Sequence, residues 1–227
     1  FAVMEALIEH FLKCITDERK ALFEELIQKR TKYLTVVLEN IYQPLNASAV
    51  LRSCDCFGIQ DVHVIENYNE FKADKEVAMG ASNWLTVNRY EKNENNTLDC
   101  ILSLKNRGYR IVATSPHNSQ TDLINFDLSK GKTALFFGTE LEGLSNLVLE
   151  NADEYLHIPM YGFTESFNLS VSAAICLYEI RMKMEKENIK WQMTKDEKNQ
   201  VLLDWLRCSI DRSEIVEDDF LKNRLWG

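Results

Sequence analysis

Apolar residues recur with a helical period over Val3, Met4, Leu7, Ile8, Phe11 and Leu12, and again over Leu22, Phe23, Leu26 and Ile27. This spacing predicts two short helices at the start of the chain. At residues 33–38 the pattern becomes a β-branched run, and strands then alternate with helices. Strands are predicted at 62–65, 110–114, 133–137 and 155–158, with a helix at 98–105. A long amphipathic helix is predicted over 168–186, followed by helices near 195–208 and 214–224. Alternation of this kind predicts an α/β domain whose parallel strands are buried on both faces. Ligands in such sheets bind beyond the carboxyl ends of the strands.

Composition narrows the class. The 227 residues are 45% hydrophobic and 27% charged, with three prolines and eight glycines, which fits one substantial core with helical additions. The longest apolar runs fall well short of the roughly 20 residues that span a bilayer, and the first residues lack a basic-then-apolar signal pattern. The expectation is a cytoplasmic protein without a membrane segment. Cys14, Cys54, Cys56, Cys100, Cys176 and Cys208 lack C-x-x-C spacing and neighbouring histidines, so they read as reduced thiols, mostly buried, and no metal site is expected. His10, His63, His117 and His157 are dispersed, and none is expected to be catalytic.

The net charge of −9 is unevenly spread. Residues 1–32 carry six basic and six acidic side chains, residues 181–227 ten of each, and the segment between them ten basic and nineteen acidic. Arg19, Lys20, Lys29, Arg30 and Lys32 form two basic clusters. They could contact phosphates from one face, or form a solvated helix face balanced by Glu24 and Glu25.

Chemistry concentrates in three blocks at the mouths of apolar runs: Asn46 to Arg52 (NASAVLR), Gly138 to Leu144 (GTELEGL) and Ile158 to Ser172 (IPMYGFTESFNLSVS). Asn46 is placed to cap a helix. Arg52 and Asp55 fall on one polar side of that helix, either as an ion pair or with the guanidinium directed at phosphate or ribose. Gly138 permits a tight turn after a strand, and Glu140 projects past the strand end or caps a helix beginning near Ser145. In the third block a loop leads to a helix opening at Ser166 to Asn168. Its amides suit an anionic group, and Ser170, Ser172, Ala173 and Ala174 allow another backbone to pack closely.

Read in order, these blocks resemble the SpoU branch of the SPOUT RNA methyltransferases. Residues 34–58 (LTVVLENIYQPLNASAVLRSCDCFG) are similar to the family's first motif, residues 79–84 (MGASNW) to a segment of its TrmH members, and residues 135–144 and 158–179 to motifs two and three. The resemblance covers about residues 18–185, and the ends, including 203–207 (LDWLR), are also TrmH-like. It implies a parallel-sheet SPOUT domain at 33–187 with a deep trefoil knot at about 133–180. Helical extensions are implied at 1–32 and 188–227, and a homodimer through the knot region.

The resemblance further implies that S-adenosylmethionine is held by Thr114, Gly138, Ile158 and Phe167, and that Asn46, Arg52, Glu140, Ser166 and Asn168 form the catalytic and RNA-binding set. The implied reaction is methyl transfer to a ribose 2′-hydroxyl of tRNA, at D-loop guanosine 18. Proton removal is assigned within the family to the arginine of motif one, here Arg52. A guanidinium with a pKa above about 12 is a poor base, so Arg52 is expected to fix phosphate and ribose, with phosphate, water or Glu140 sharing the proton. Ribosomal RNA is the alternative substrate, although about 30 residues before the first strand leave little room for the extra RNA-binding domain common in such members. A catalytically silent RNA-binding dimeric module is the other alternative. A dinucleotide oxidoreductase is disfavoured because no G-x-G-x-x-G follows the first strand.

Overall fold

The computed structural model describes residues 2–72, 78–116 and 120–225; His117 lies outside them. The chain divides into two compact units, residues 1–30 with 192–227, and residues 31–191. The first unit holds α1 (Ala2–Leu12) and α2 (Asp17–Ile27), and the second begins with β1 (Leu34–Glu39). There follow α3 (Pro44–Cys56), β2 (Asp61–Ile65), β3 (Thr86–Tyr90), α4 (Asn96–Asn106), β4 (Arg110–Thr114) and β5 (Thr121–Asp122). The second unit continues through β6 (Thr133–Phe137), α5 (Asn146–Asn151), β7 (Glu154–His157) and α6 (Leu169–Lys186). The chain then returns to the first unit with α7 (Lys195–Ser209) and α8 (Ser213–Leu225).

The seven strands make one sheet in the order β3-β2-β1-β6-β4-β7-β5, and every neighbouring pair is parallel. Side chains alternate across it. Val36 and Leu38 join Leu135 and Phe137 in a core closed by Val50 and Cys54 of α3 and by Ala173, Leu177 and Ile180 of α6. Val37 joins Ala134 and Phe136 in a second core closed by Cys100 and Leu104 of α4 and Val148 of α5. The small residues of α6 let it lie against α3. Strands β3 and β5 were not expected from the apolar pattern. They are the two edges of the sheet and carry Asn88, Arg89 and Asp122 where central strands are apolar.

In the first unit Phe23 and Trp205 pack with ring centroids 5.3 Å apart, and the Arg30 guanidinium lies 5.2 Å from the Trp205 centroid. Thr194 and Glu197 form a reciprocal capping box at the start of α7. These contacts change the reading of the basic clusters. Arg30 is buried, Lys29 bonds Glu25, and Lys32 of the second unit lies 3.4 Å from Asp61, whereas Arg19 is exposed.

Beneath α4, His63 is fully buried and its Nδ1 lies 3.2 Å from the Tyr90 hydroxyl; its Nε2 has no hydrogen-bond partner among the described residues. Burial lowers its pKa from 6.5 to about 4. The unfolded chain takes up this proton below about pH 6.5 and the folded chain only below about pH 4. The contribution is therefore complete above pH 6.5 and falls by about 3 kcal/mol as the pH drops to 4. Urea unfolding at several pH values is expected to show a shallower acid loss for His63→Gln than for the wild type; equal slopes would contradict this.

Candidate active site at the carboxyl ends of the strands

Strand β6 ends at Phe137 and the chain turns at once. A Cβ on Gly138 would lie 2.1 Å from the Gly143 carbonyl oxygen and 2.4 Å from the Leu144 nitrogen, so only glycine lets the turn close. Thr139 N–H donates to Gly143 O and Gly143 N–H to Thr139 O, both at 3.0 Å, and Gly143 adopts φ +71°. The closed turn presents Glu140 at its tip.

Asn46 is 7% exposed within the first turn of α3. It is not the helix cap that the sequence suggested, because Pro44 starts the helix two residues earlier and Gln43 occupies the cap position. Its side chain is thereby released for the site: Asn46 Nδ2 donates to Gln43 Oε1 and to Glu140 Oε1, each at 3.0 Å. Asn168 is the N-cap of α6, accepting from Ser170 N at 2.9 Å and from Ser170 Oγ at 2.6 Å. Its Nδ2 donates to Asn46 Oδ1 at 3.1 Å and to Glu140 Oε1 at 2.7 Å. Residues 122 positions apart in sequence thus clamp one carboxylate oxygen. Among the described residues, nothing donates to Glu140 Oε2, which remains available as an acceptor.

Other expected residues sit around this cluster. Ser145, not Glu140, caps α5. Arg52 is exposed on α3 and makes neither an ion pair with Asp55 nor a hydrogen bond among the described residues, so it stands outside the clamp. Ser166 lies in the exposed loop before α6. Thr114, Gly138, Ile158 and Phe167 all line one cavity of about 510 Å³, which Glu140 and Ser166 also border. The cavity lies beyond the ends of β6, β4 and β7, adjacent strands of the sheet. Thr114 is oriented by its hydroxyl, which donates to Phe136 O at 2.7 Å. Cys176 forms part of the wall, and burial pushes its thiol up to about 12, so it acts as a small apolar surface.

The sequence assigns no functional role to Gln43, which steadies Asn46, or to the wall residues Leu149, Leu156 and Met160. Gln43 carried a signal in its position just before Pro44. The wall residues carried none, because apolar side chains at strand ends look like any core residue.

A cavity of this size suits a ligand of nucleoside dimensions. Apolar walls match a flat heterocycle, backbone groups of the Gly138 turn are within reach, and Glu140, Glu142 and Glu165 at the border match a cationic ligand. The residues present therefore fit S-adenosylmethionine, which combines an adenosine with a sulfonium, an ammonium and one carboxylate and is cationic in sum.

The family model described as SpoU rRNA Methylase family matches residues 33–178. A tRNA (guanosine(18)-2′-O)-methyltransferase of Borreliella burgdorferi is 43% identical over 206 residues, 91% of this chain and 92% of that protein. The crystal structure of the Aquifex aeolicus TrmH/SpoU tRNA modifying enzyme superposes with a TM-score of 0.74 at 28% identity, covering 86% of this chain and 98% of that one. The SpoU methyltransferase AviRb from Streptomyces viridochromogenes, solved in complex with AdoMet, shares the fold with a TM-score of 0.58 at 24% identity, over 72% of this chain and 65% of that one.

Proposed function

Since this chain belongs to the SpoU methylase family, we infer that it is an S-adenosylmethionine-dependent methyltransferase acting on the ribose 2′-hydroxyl of guanosine 18 in tRNA. The observation that carries the reading is the Asn46–Glu140–Asn168 clamp at the border of the cavity. It joins one residue from each of the three motifs. The similarity to a tRNA methyltransferase across nine-tenths of the chain favours tRNA over ribosomal RNA, and the intact clamp disfavours a silent module.

When bound, S-adenosylmethionine supplies a methyl group activated by its sulfonium. Thr114, Gly138, Ile158 and Phe167 would hold it through the cavity wall. The two asparagine amides fix Glu140 Oε1, and Oε2 is left to accept a hydrogen bond from the ribose hydroxyl, aligning its oxygen and drawing off proton density. Arg52 offers a fork of donors to the neighbouring phosphate, and Ser166 contributes a hydroxyl at the border of the cavity. An aligned nucleophile and a steadied phosphate are the contributions of the chain itself.

We also assign a trefoil knot at about 133–180 to the domain at 33–187. Its support is that β6 lies between β1 and β4 while α6, after β7, returns to α3. Helices α1, α2, α7 and α8 would serve as extensions toward RNA. A homodimer is supported by the exposed apolar residues Tyr42, Leu45, Val171 and Tyr178 around α3 and α6. The activity is assigned to the cytoplasm; no helix among the described residues is long and apolar enough to cross a membrane.

Incubation of the protein with labelled S-adenosylmethionine and unfractionated tRNA or rRNA, followed by mapping of the modified ribose, tests the reading. Label is expected at guanosine 18 of tRNA. Label confined to rRNA, or none at all, would refute it.

A further inference from the structure

A buried carboxylate outside the clamp meets the far end of the Glu140 turn. Glu39, the last residue of β1, is 2% exposed. Ser145 N–H donates to its Oε2 at 2.8 Å, while Ser145 Oγ and Thr97 Oγ1 donate to its Oε1 at 2.7 and 2.8 Å. No cation lies within ion-pair distance of it among the described residues. A carboxylate buried among neutral donors alone is costly to retain and loses its stabilisation when a donor goes. A helix cap for Ser145 would not require it.

The segment from Gly138 to Ser145 leaves the sheet where Phe137 pairs with Leu38 of β1, and it is caught again by Glu39, the next residue of the same strand. Both ends of the turn are therefore pinned to consecutive residues of β1. Glu140 and the Gly138 wall of the cavity lie between these pins. Beyond Glu39, Asn40 takes a left-handed conformation with φ 54° and directs the chain toward Gln43 and Asn46. The same short segment thus sets the two sides of the clamp.

We propose that Glu39 is a positioning residue for methyl transfer, anchoring the Gly138–Ser145 turn so that Glu140 and the cofactor wall are held in register with Asn46. The anchoring is a property of the fold; its effect on turnover rests on the function proposed above.

In Glu39→Gln the side-chain amide can present one acceptor to Ser145 but sets a donor against the other Ser145 donor. Amide hydrogen exchange of the full-length protein without ligand is expected to accelerate about tenfold or more over residues 139–145, with the central strands unchanged. With tRNA as substrate, kcat/KM for S-adenosylmethionine is expected to fall about 10- to 100-fold, while KM for tRNA stays within about twofold. Thr97→Val removes the third hydrogen bond to Glu39, on the α4 side, and the acceptor of Asn67 Nδ2, while both Ser145 bonds remain; it is expected to accelerate exchange in the turn and to lower kcat/KM less than Glu39→Gln does. Ser145→Ala, which keeps the backbone bond, is expected to give a smaller loss of the same kind, and it decides the matter should Glu39→Gln fail to fold.

Unchanged exchange in the turn for Glu39→Gln and Ser145→Ala would overturn the anchor. Normal kinetics with faster exchange, or an equal kinetic loss in Thr97→Val, would overturn the positioning role. A wild-type protein that methylates no tRNA while Glu39→Gln still loosens the turn would sink the functional reading and leave the anchor standing.

Discussion

Replacement of Arg52 by alanine is expected to lower the turnover number for methyl transfer about a thousandfold and to leave the dissociation constant for S-adenosylmethionine within about twofold. The split follows from where the side chain stands. Arg52 is exposed, has no partner among the described residues and does not border the cavity, so its removal takes nothing from the core or the cofactor wall. The helix beneath it is held by Val50, Leu51 and Cys54, all essentially buried, and gives the guanidinium a fixed base. Single-turnover methylation paired with an equilibrium titration of the cofactor separates the two quantities. Arg52→Lys keeps the charge but loses the planar fork, so it is expected to recover only part of the rate. Near-normal methylation by Arg52→Ala would remove Arg52 from the reaction.

The second large effect is expected at Gly138. An alanine there would drive its Cβ into the backbone of Gly143 and Leu144 at distances no real contact adopts, and backbone cannot swing aside as a long side chain can. The turn must open. Stability is expected to drop by about 1–3 kcal/mol, and affinity for S-adenosylmethionine by at least about tenfold, because the cavity wall and Glu140 move with the turn. Gly143→Ala is the informative comparison. Its Cβ would meet nothing within 4 Å, so only the left-handed φ of +71° is penalised, at about 1–2 kcal/mol. Calorimetric titration and thermal unfolding of both variants check this. Equal affinities would mean that closure of the turn does not shape the cavity.

The sequence revealed the central architecture because the central strands are apolar on both faces. Residues 133–137 and 110–114 could hardly be anything but buried strands. The edges were illegible for the converse reason: β3 and β5 face solvent along one side, so Asn88, Arg89 and Asp122 interrupt any apolar run. At the site, Asn46, Glu140 and Asn168 stood out as polar residues in turn-rich blocks, but their mutual contact did not. A hydrogen bond across 94 or 122 positions leaves no local trace. The misreading of Asn46 as a cap shows the limit clearly. Local rules find a polar residue near a helix start, and only the position of Pro44 and Gln43 decides that its amide is free for other work. Glu39 escaped notice because an acidic residue closing a strand looks like ordinary surface punctuation until Ser145 is seen to arrive from elsewhere.

The placement of α6 against α3 also bears on how the molecule comes into being. Its N-cap, Asn168, supplies the last arm of the clamp, and α6 is the final element of its unit. The sheet beneath it joins β1 to β6 across roughly a hundred intervening residues, a slow type of closure. During synthesis, strands and early helices can collapse while the Glu140 carboxylate still lacks one of its two amide donors. The clamp is therefore complete only once the newly emerged helix docks on one made more than a hundred residues before it.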